Sequence, residues 1–141
     1  MNFETKYFGN IEIEENAVIH FEEGLPGFED KNKFVILNNY DTDEPVPFMW
    51  LQSTQEPNLA FVVTIPFFMR PNYAFDIPTE VCEELEITSA EEVGVYTICR
   101  IAGSIESMTI NLKSPIVINS KNRKAMQMMI TDGRYTTKEM F

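Results

Sequence analysis

The chain has 141 residues, 44% hydrophobic and 23% charged, a globular balance at the commonest size for one domain. Its formal net charge of −11 excludes non-specific binding to nucleic acid, which depends on Lys and Arg neutralising phosphates. One histidine, His20, and two cysteines, Cys82 and Cys99, leave too few ligands for an ordinary zinc site and no material for a disulfide framework.

Export and membrane signals are missing from the pattern. Glu4, Glu12, Glu14 and Glu15 interrupt the first twenty residues, and the most apolar stretch, Leu59 to Met69, is broken by Pro66 and closed by Arg70. It is far short of the roughly 20 residues a bilayer helix needs. The expectation is a reduced, soluble, cytoplasmic protein without membrane contact.

In chain order, Ile11 and Ile13 alternate with Glu12 and Glu14, the period of a half-buried strand. Ala17 to Glu22 reads as a strand containing His20. The string Gly24-Leu25-Pro26-Gly27-Phe28 follows, a tight turn ending in an aromatic anchor. Continuous apolar runs come next at Phe34–Leu37, Phe48–Leu51 and Leu59–Val63, separated by turn signals at Asn38-Asn39 and Glu56-Pro57-Asn58. Such runs suit strands covered on both faces. Pro78 then opens a short helix to about Leu85, with Val81, Cys82 and Leu85 on one face and Glu80, Glu83 and Glu84 on the other. A second short turn starts at Ser89. Met108, Ile110 and Leu112 alternate, Ser114-Pro115 turns, and Ile116–Ile118 forms a last apolar run before Asp132-Gly133. Turn signals at this spacing predict a mostly β, single-domain, antiparallel barrel-like fold over 1–141, with eight to ten strands and one short helix near 78–85.

Chemistry-bearing constellations are sparse. No Gly-x-Ser-x-Gly turn accompanies His20, and neither cysteine has a histidine beside it in sequence, so a nucleophile paired with a base is not legible. Gly24 and Gly27 form neither a dinucleotide fingerprint nor a phosphate loop. The acid doublets Glu14-Glu15, Glu22-Glu23, Glu83-Glu84 and Glu91-Glu92 read as solvated surface, since adjacent residues point apart. No enzymatic activity and no cofactor are expected.

Charge is uneven. Residues 1–106 hold 20 acids against 5 bases, a net of −15, while residues 107–141 hold 2 acids against 6 bases, a net of +4. The basic end centres on Lys121-Asn122-Arg123-Lys124, with Arg134 and Lys138 beyond. An RNA-binding barrel using that cluster is one alternative, although the aromatic stacking positions of single-strand binders are missing around it. A small-molecule or hydrolytic barrel using His20 and nearby acids is another.

The distinctive strings occur in a fixed succession. They are Thr5–Gly9, Gly24–Phe28, Leu51-Gln52-Ser53, Leu59–Val63 with Pro66, Asn111–Asn119, and Asn122–Gln127. In this order and at these distances the chain resembles the bacterial flagellar assembly factors of the FliW family, over about Thr5 to Tyr135. The resemblance implies a small barrel-like fold without catalysis, a monomer when free, acting as a chaperone of newly made flagellin. It also implies that the factor released on flagellin export binds the RNA-binding translational regulator CsrA. CsrA would be antagonised non-competitively, which relieves repression of flagellin translation, without direct contact of this chain to nucleic acid. Partner-contact candidates are the motif positions a barrel core does not require: Leu25, Pro26 and Phe28 on the early turn, and Asn111, Asn119, Asn122, Arg123 and Gln127 near the end. Phe67, Phe68 and Tyr73, flanked by Pro66 and Pro71, either form an exposed apolar patch or plug a barrel end.

Overall fold

Alternation along the apolar runs sends neighbouring side chains to opposite sides of one curved sheet. The computed structural model describes residues 2–6, 9–37, 48–100 and 107–140. The Asn38-Asn39 turn and the Tyr7-Phe8 part of the first string lie outside them. A hairpin of β1 (Asn2–Thr5) and β2 (Gly9–Glu12) precedes the main sheet and, among the described residues, forms a two-stranded sheet of its own. The main sheet contains β3 (Ile19–Phe21), β4 (Lys33–Leu37), β5 (Phe48–Ser53), β6 (Ala60–Thr64), β7 (Val93–Arg100), β8 (Thr109–Ile110), β9 (Ile116–Asn119), β10 (Lys124–Gln127) and β11 (Glu139–Met140).

Its strands run β11-β8-β7-β6-β5-β4-β3-β10-β9, and β9 returns to pair with β7. Seven strands therefore close into a barrel, as the predicted fold class requires. Closure depends on the length of β7. Its first half pairs with β9, Val93 opposite Asn119 through Tyr96 opposite Ile116, while Cys99 and Arg100 pair with β8. Every pairing is antiparallel except β3 with β10, where Lys124 lies opposite His20. The eleven strands among the described residues exceed the predicted eight to ten partly through the two-residue β11, too short for a periodicity to mark, whereas β8 lies within the alternation of Met108, Ile110 and Leu112.

Two cores result. One takes Ile19, Phe21, Leu25, Phe34, Leu51, Val63, Ile116, Ile118 and Ala125 with Phe61, Tyr96 and Ile98 packed on them. It draws on all seven ring strands and fills the barrel. The other lies outside the barrel wall and joins Val117 and Cys99 to Val81, Leu85, Tyr73, Met108, Ile110, Leu112, Met128 and Ile130. Val62 and Val63, Val95 and Tyr96, and Val117 and Ile118 are divided between the two cores. Continuous apolar runs thus mark strands covered on both faces. Each fully buried large side chain contributes about 1.5–3 kcal/mol of transfer free energy.

Helix α1 (Thr79–Leu85) is the lid of the outer core. Pro78 is its N-cap, Val81 and Leu85 are buried, Cys82 is half-buried, and Glu80, Glu83 and Glu84 are exposed. Ser89 caps the 3-10 turn Ala90–Glu92, its hydroxyl accepting from the Glu91 amide. Both elements lie where the sequence predicts them.

Candidate functional site

The early turn is built around Gly24. Its φ is +70°, and a Cβ there would meet the Glu29 Cα and the Phe28 carbonyl oxygen at 2.6 Å. The Phe28 amide donates to the Leu25 carbonyl at 2.7 Å. Leu25, 2% exposed, is driven into the barrel core, while Pro26 and Phe28 face outward. The Phe28 ring meets Phe61 edge-on at 5.4 Å between centroids. Of the three candidates on this turn, two offer surface and one anchors it.

At the other end, Asn111 and Gln127 are half-buried. Asn111 Oδ1 accepts from the Ser114 amide, and Gln127 Nε2 donates to the Ser114 carbonyl, so both hold the Ser114-Pro115 turn. Asn119 is 2% exposed. Its Nδ2 donates to the carbonyls of Leu85 and Glu86 at 2.9 and 3.2 Å, and its Oδ1 accepts from the Lys121 amide. Asn122 is exposed and donates to the same Leu85 carbonyl at 3.1 Å. These two side chains bind carbonyls that the end of α1 leaves without helical partners. The asparagines of the string thus fasten α1 to the barrel, a task that spacing in sequence does not show.

Each base of the Lys121–Lys124 cluster has a partner within the chain. Lys121 Nζ lies 3.2 Å from Glu92 Oε1, Lys124 Nζ lies 2.6 Å from Glu86 Oε2, and Arg123 Nη2 donates to the Ala17 carbonyl at 3.3 Å. Glu92 departs from the solvated doublet expected of it: its side chain is 7% exposed. The Thr88 amide and hydroxyl donate to its carboxylate, and these bonds, with Lys121, hold its pKa below the usual glutamate range. Glu86 raises the Lys124 pKa, chiefly by hydrogen bonding and then by its charge.

His20 is exposed on β3 and lines a cavity of about 300 Å³ with Glu22, Asn32, Glu84 and Lys124. Next to it, Glu22, Glu23, Glu29 and Glu84 border a smaller one, with Pro26 and Gln127. Neither holds a serine or cysteine for a nucleophile. Among the described residues no group of three or more His, Cys, Asp or Glu is placed to hold a metal ion. Cys99 is buried, and burial pushes its thiol up to about 12. No helix among the described residues is long and apolar enough to cross a membrane.

A larger concavity lies elsewhere. The segment after β6, α1, the 3-10 turn and the start of β7 enclose a groove of about 640 Å³ lined by Phe67, Phe75, Ile77, Cys82, Ile87, Val93 and Val95 among others. The aromatic trio divides there. Phe67 and Phe68 are exposed, whereas Tyr73 is buried with its hydroxyl donating to the Leu112 carbonyl at 2.7 Å.

A family model described as FliW protein matches residues 2–141. The chain is 44% identical over 138 residues to the flagellar assembly factor FliW of Alkaliphilus metalliredigens, covering 98% of this chain and 84% of that one. It is 43% identical to the Bacillus subtilis protein of the same name, covering 98% and 94%. A solved crystal structure of a flagellar assembly factor FliW superposes with a TM-score of 0.90 at 38% identity, covering 99% of this chain and 96% of that one. Sequence and fold agree over nearly the whole length, and the chain belongs to the FliW family.

Proposed function

We propose that this chain is a non-catalytic, cytoplasmic flagellar assembly factor that switches between two protein partners. It binds newly made flagellin as a chaperone. When export removes flagellin, the freed monomer binds CsrA, antagonises it non-competitively, and so relieves repression of flagellin translation. The observation that carries this is the family match over residues 2–141.

The electrostatics support it. An RNA-binding regulator carries positive charge, and the acidic body of this chain attracts such a partner while repelling RNA. The bases that RNA would require are engaged by Glu92, Glu86 and the Ala17 carbonyl. Of the partner-contact candidates, Pro26, Phe28 and Asn122 are exposed, and Arg123, Asn111 and Gln127 are half-buried. Leu25 and Asn119 are buried and would support contact residues without touching a partner themselves. Calorimetric titration with purified flagellin and with CsrA tests the proposal: each binds at micromolar concentration or tighter, and absence of heat with both removes it.

A further inference from the structure

Strand β10 has one edge filled and one left open. On the filled side it pairs with β9, Ala125 opposite Ile118 through Gln127 opposite Ile116. The Met128 amide continues that side, donating to the Pro115 carbonyl at 3.0 Å. Backbone groups alternate between the two edges of a strand, so the amide and carbonyl of Gln127 point the other way. There β3 is the neighbour only at Lys124 and Ala125, opposite His20 and Phe21. Past Ala125 no strand among the described residues pairs with that edge.

The gap is made by the early turn. The Gly24 amide donates to the Phe21 carbonyl at 2.9 Å, and the chain leaves β10 there. A cavity of about 250 Å³ remains, lined by Ala125, Met126 and Gln127 of the edge and by Gly24 and Pro26 of the turn. It adjoins the His20 cavity, with which it shares Glu22, Glu84 and Ala125.

Four acids stand in the lining itself: Glu22, Glu23, Glu29 and Glu84, all exposed. No lysine or arginine lines this cavity. Among the described residues no base lies within ion-pair distance of any of the four. Glu29 accepts from the Gly27 amide at 3.2 Å. Lys124, in the adjoining cavity, interacts with the charge of Glu22, but its own hydrogen bond goes to Glu86.

The open edge and the acids are independent features that select the same occupant. An unpaired edge offers backbone donors and acceptors to another extended chain. The acids disfavour nucleic acid, and they disfavour a second copy of this chain, whose edge carries the same charges. They favour Lys and Arg.

We propose that the β10 edge takes up an extended, Lys- or Arg-bearing segment of a protein partner, which adds to β10 as a further strand. The proposal rests on the partner-binding function above, and assigns it a surface and a mode of recognition: main-chain bonds to Gln127, and charge selection by the four glutamates.

The probe is a fluorescein-labelled peptide of about ten residues that alternates Lys with Val, and its counter-probe has Glu in place of Lys. Two further probes keep the Lys sequence and carry N-methyl groups, one on the Lys amides and the other on the Val amides. In an added strand only one of these sets faces β10. Fluorescence anisotropy at physiological salt should show the Lys probe binding with a Kd of about 50 µM or tighter, and the Glu probe not binding. The two N-methylated probes should differ about tenfold in affinity.

Gln127→Pro removes the outward amide and leaves the β9 side intact, since no ladder bond is made at that nitrogen. Gln127→Ala keeps the amide, and both variants lose the side-chain bond to the Ser114 carbonyl. The Lys probe should bind Gln127→Pro about tenfold more weakly than Gln127→Ala, and should lose about tenfold on Glu23→Lys with Glu84→Lys. Circular-dichroism melts verify that the variants fold, and the N-methylated pair tests the edge on wild type even if Gln127→Pro does not. No binding of the Lys probe to wild type, equal binding of the two N-methylated probes, or equal binding to folded Gln127→Pro and Gln127→Ala each overturns the assignment. Flagellin and CsrA are then titrated into the same proteins. If either binds wild type and loses about tenfold on Gln127→Pro relative to Gln127→Ala, the edge gains its natural occupant. If both bind the two variants alike, the assignment fails and the partner switch stands. If neither binds wild type, the function itself fails, and the probes alone decide the edge.

Discussion

Glu86 and Arg123 both hold left-handed backbone, at φ of 57° and 65°, and the residues flanking Arg123 both reach the Glu86 carboxylate. Lys124 does so at 2.6 Å and Asn122 at 3.4 Å. Among the described residues these are the only non-glycine positions with positive φ. Glu86 is the C-cap of α1, its amide facing the Cys82 and Glu83 carbonyls. The strained backbone is concentrated where the helix is fastened to the β9–β10 turn.

That geometry separates two substitutions at one site. Glu86→Gly loses an exposed ion pair of small value but relieves a left-handed conformation worth roughly 1 kcal/mol. Its thermal midpoint should equal or exceed that of wild type. Glu86→Val loses the same pair and adds a branched Cβ, and should melt several degrees lower. A Gly variant less stable than the Val variant contradicts the cap.

Asn119 carries the heavier part of the fastening. Asn119→Ala removes two bonds to the end of α1 and one to the Lys121 amide. With the Glu86 carbonyl losing its donor and the Leu85 carbonyl held by Asn122 alone, the loss should be about 1–3 kcal/mol, or roughly 3–12 °C in Tm for a domain of this size. A change under about 1 kcal/mol would show that water replaces the side chain.

Glu92 gives a pH signature. Its carboxyl is held below the usual range in the folded chain by Thr88 and Lys121. A depressed pKa contributes stability that is present above the unfolded value and lost as pH falls through the folded one. The Tm difference between wild type and Glu92→Gln should therefore be largest above about pH 5 and shrink below about pH 4. A difference that grows on acidification contradicts the bonding described.

Phe28 and the basic cluster test the surface assignment from opposite sides. Phe28→Ala should weaken binding of flagellin or CsrA about tenfold with a small change in Tm, because the ring is 37% exposed and rests on Phe61 alone among the aromatic contacts described. In a low-salt gel shift the wild-type chain should retain no RNA. A shift that Arg123→Glu with Lys124→Glu abolishes would restore the RNA-binding alternative.

The barrel was legible because a strand covered on both faces leaves a continuous apolar run, as Ile116–Ile118 does. Helix α1 was legible from Pro78 and the spacing of Val81 and Leu85, and the Ser89 turn from its acids. Three things were not. The two-residue strand β11 has no period of its own. Glu92 reads as half of a solvated pair until Thr88 and Lys121 are seen around it, and Lys121 is distant in sequence. The bonds of Asn119 and Asn122 to the Leu85 carbonyl were not legible either, because nothing local in the sequence brings the β9–β10 turn to the end of α1. The groove was half legible: Phe67, with Phe68 and Tyr73, was read as either an exposed patch or a barrel plug, but Ile77, Ile87 and Val93 come from separate elements that only the fold brings together.

The central claim is the switch, and one competition measures it. CsrA is titrated calorimetrically into the free chain and into the chain saturated with flagellin, at physiological salt. A partner switch requires binding to the free chain and at least a tenfold loss on the flagellin-loaded chain, with flagellin displaced reciprocally by excess CsrA. Equal affinity of CsrA for free and loaded chain would contradict it, since the two partners would then be held together and export of flagellin would release nothing.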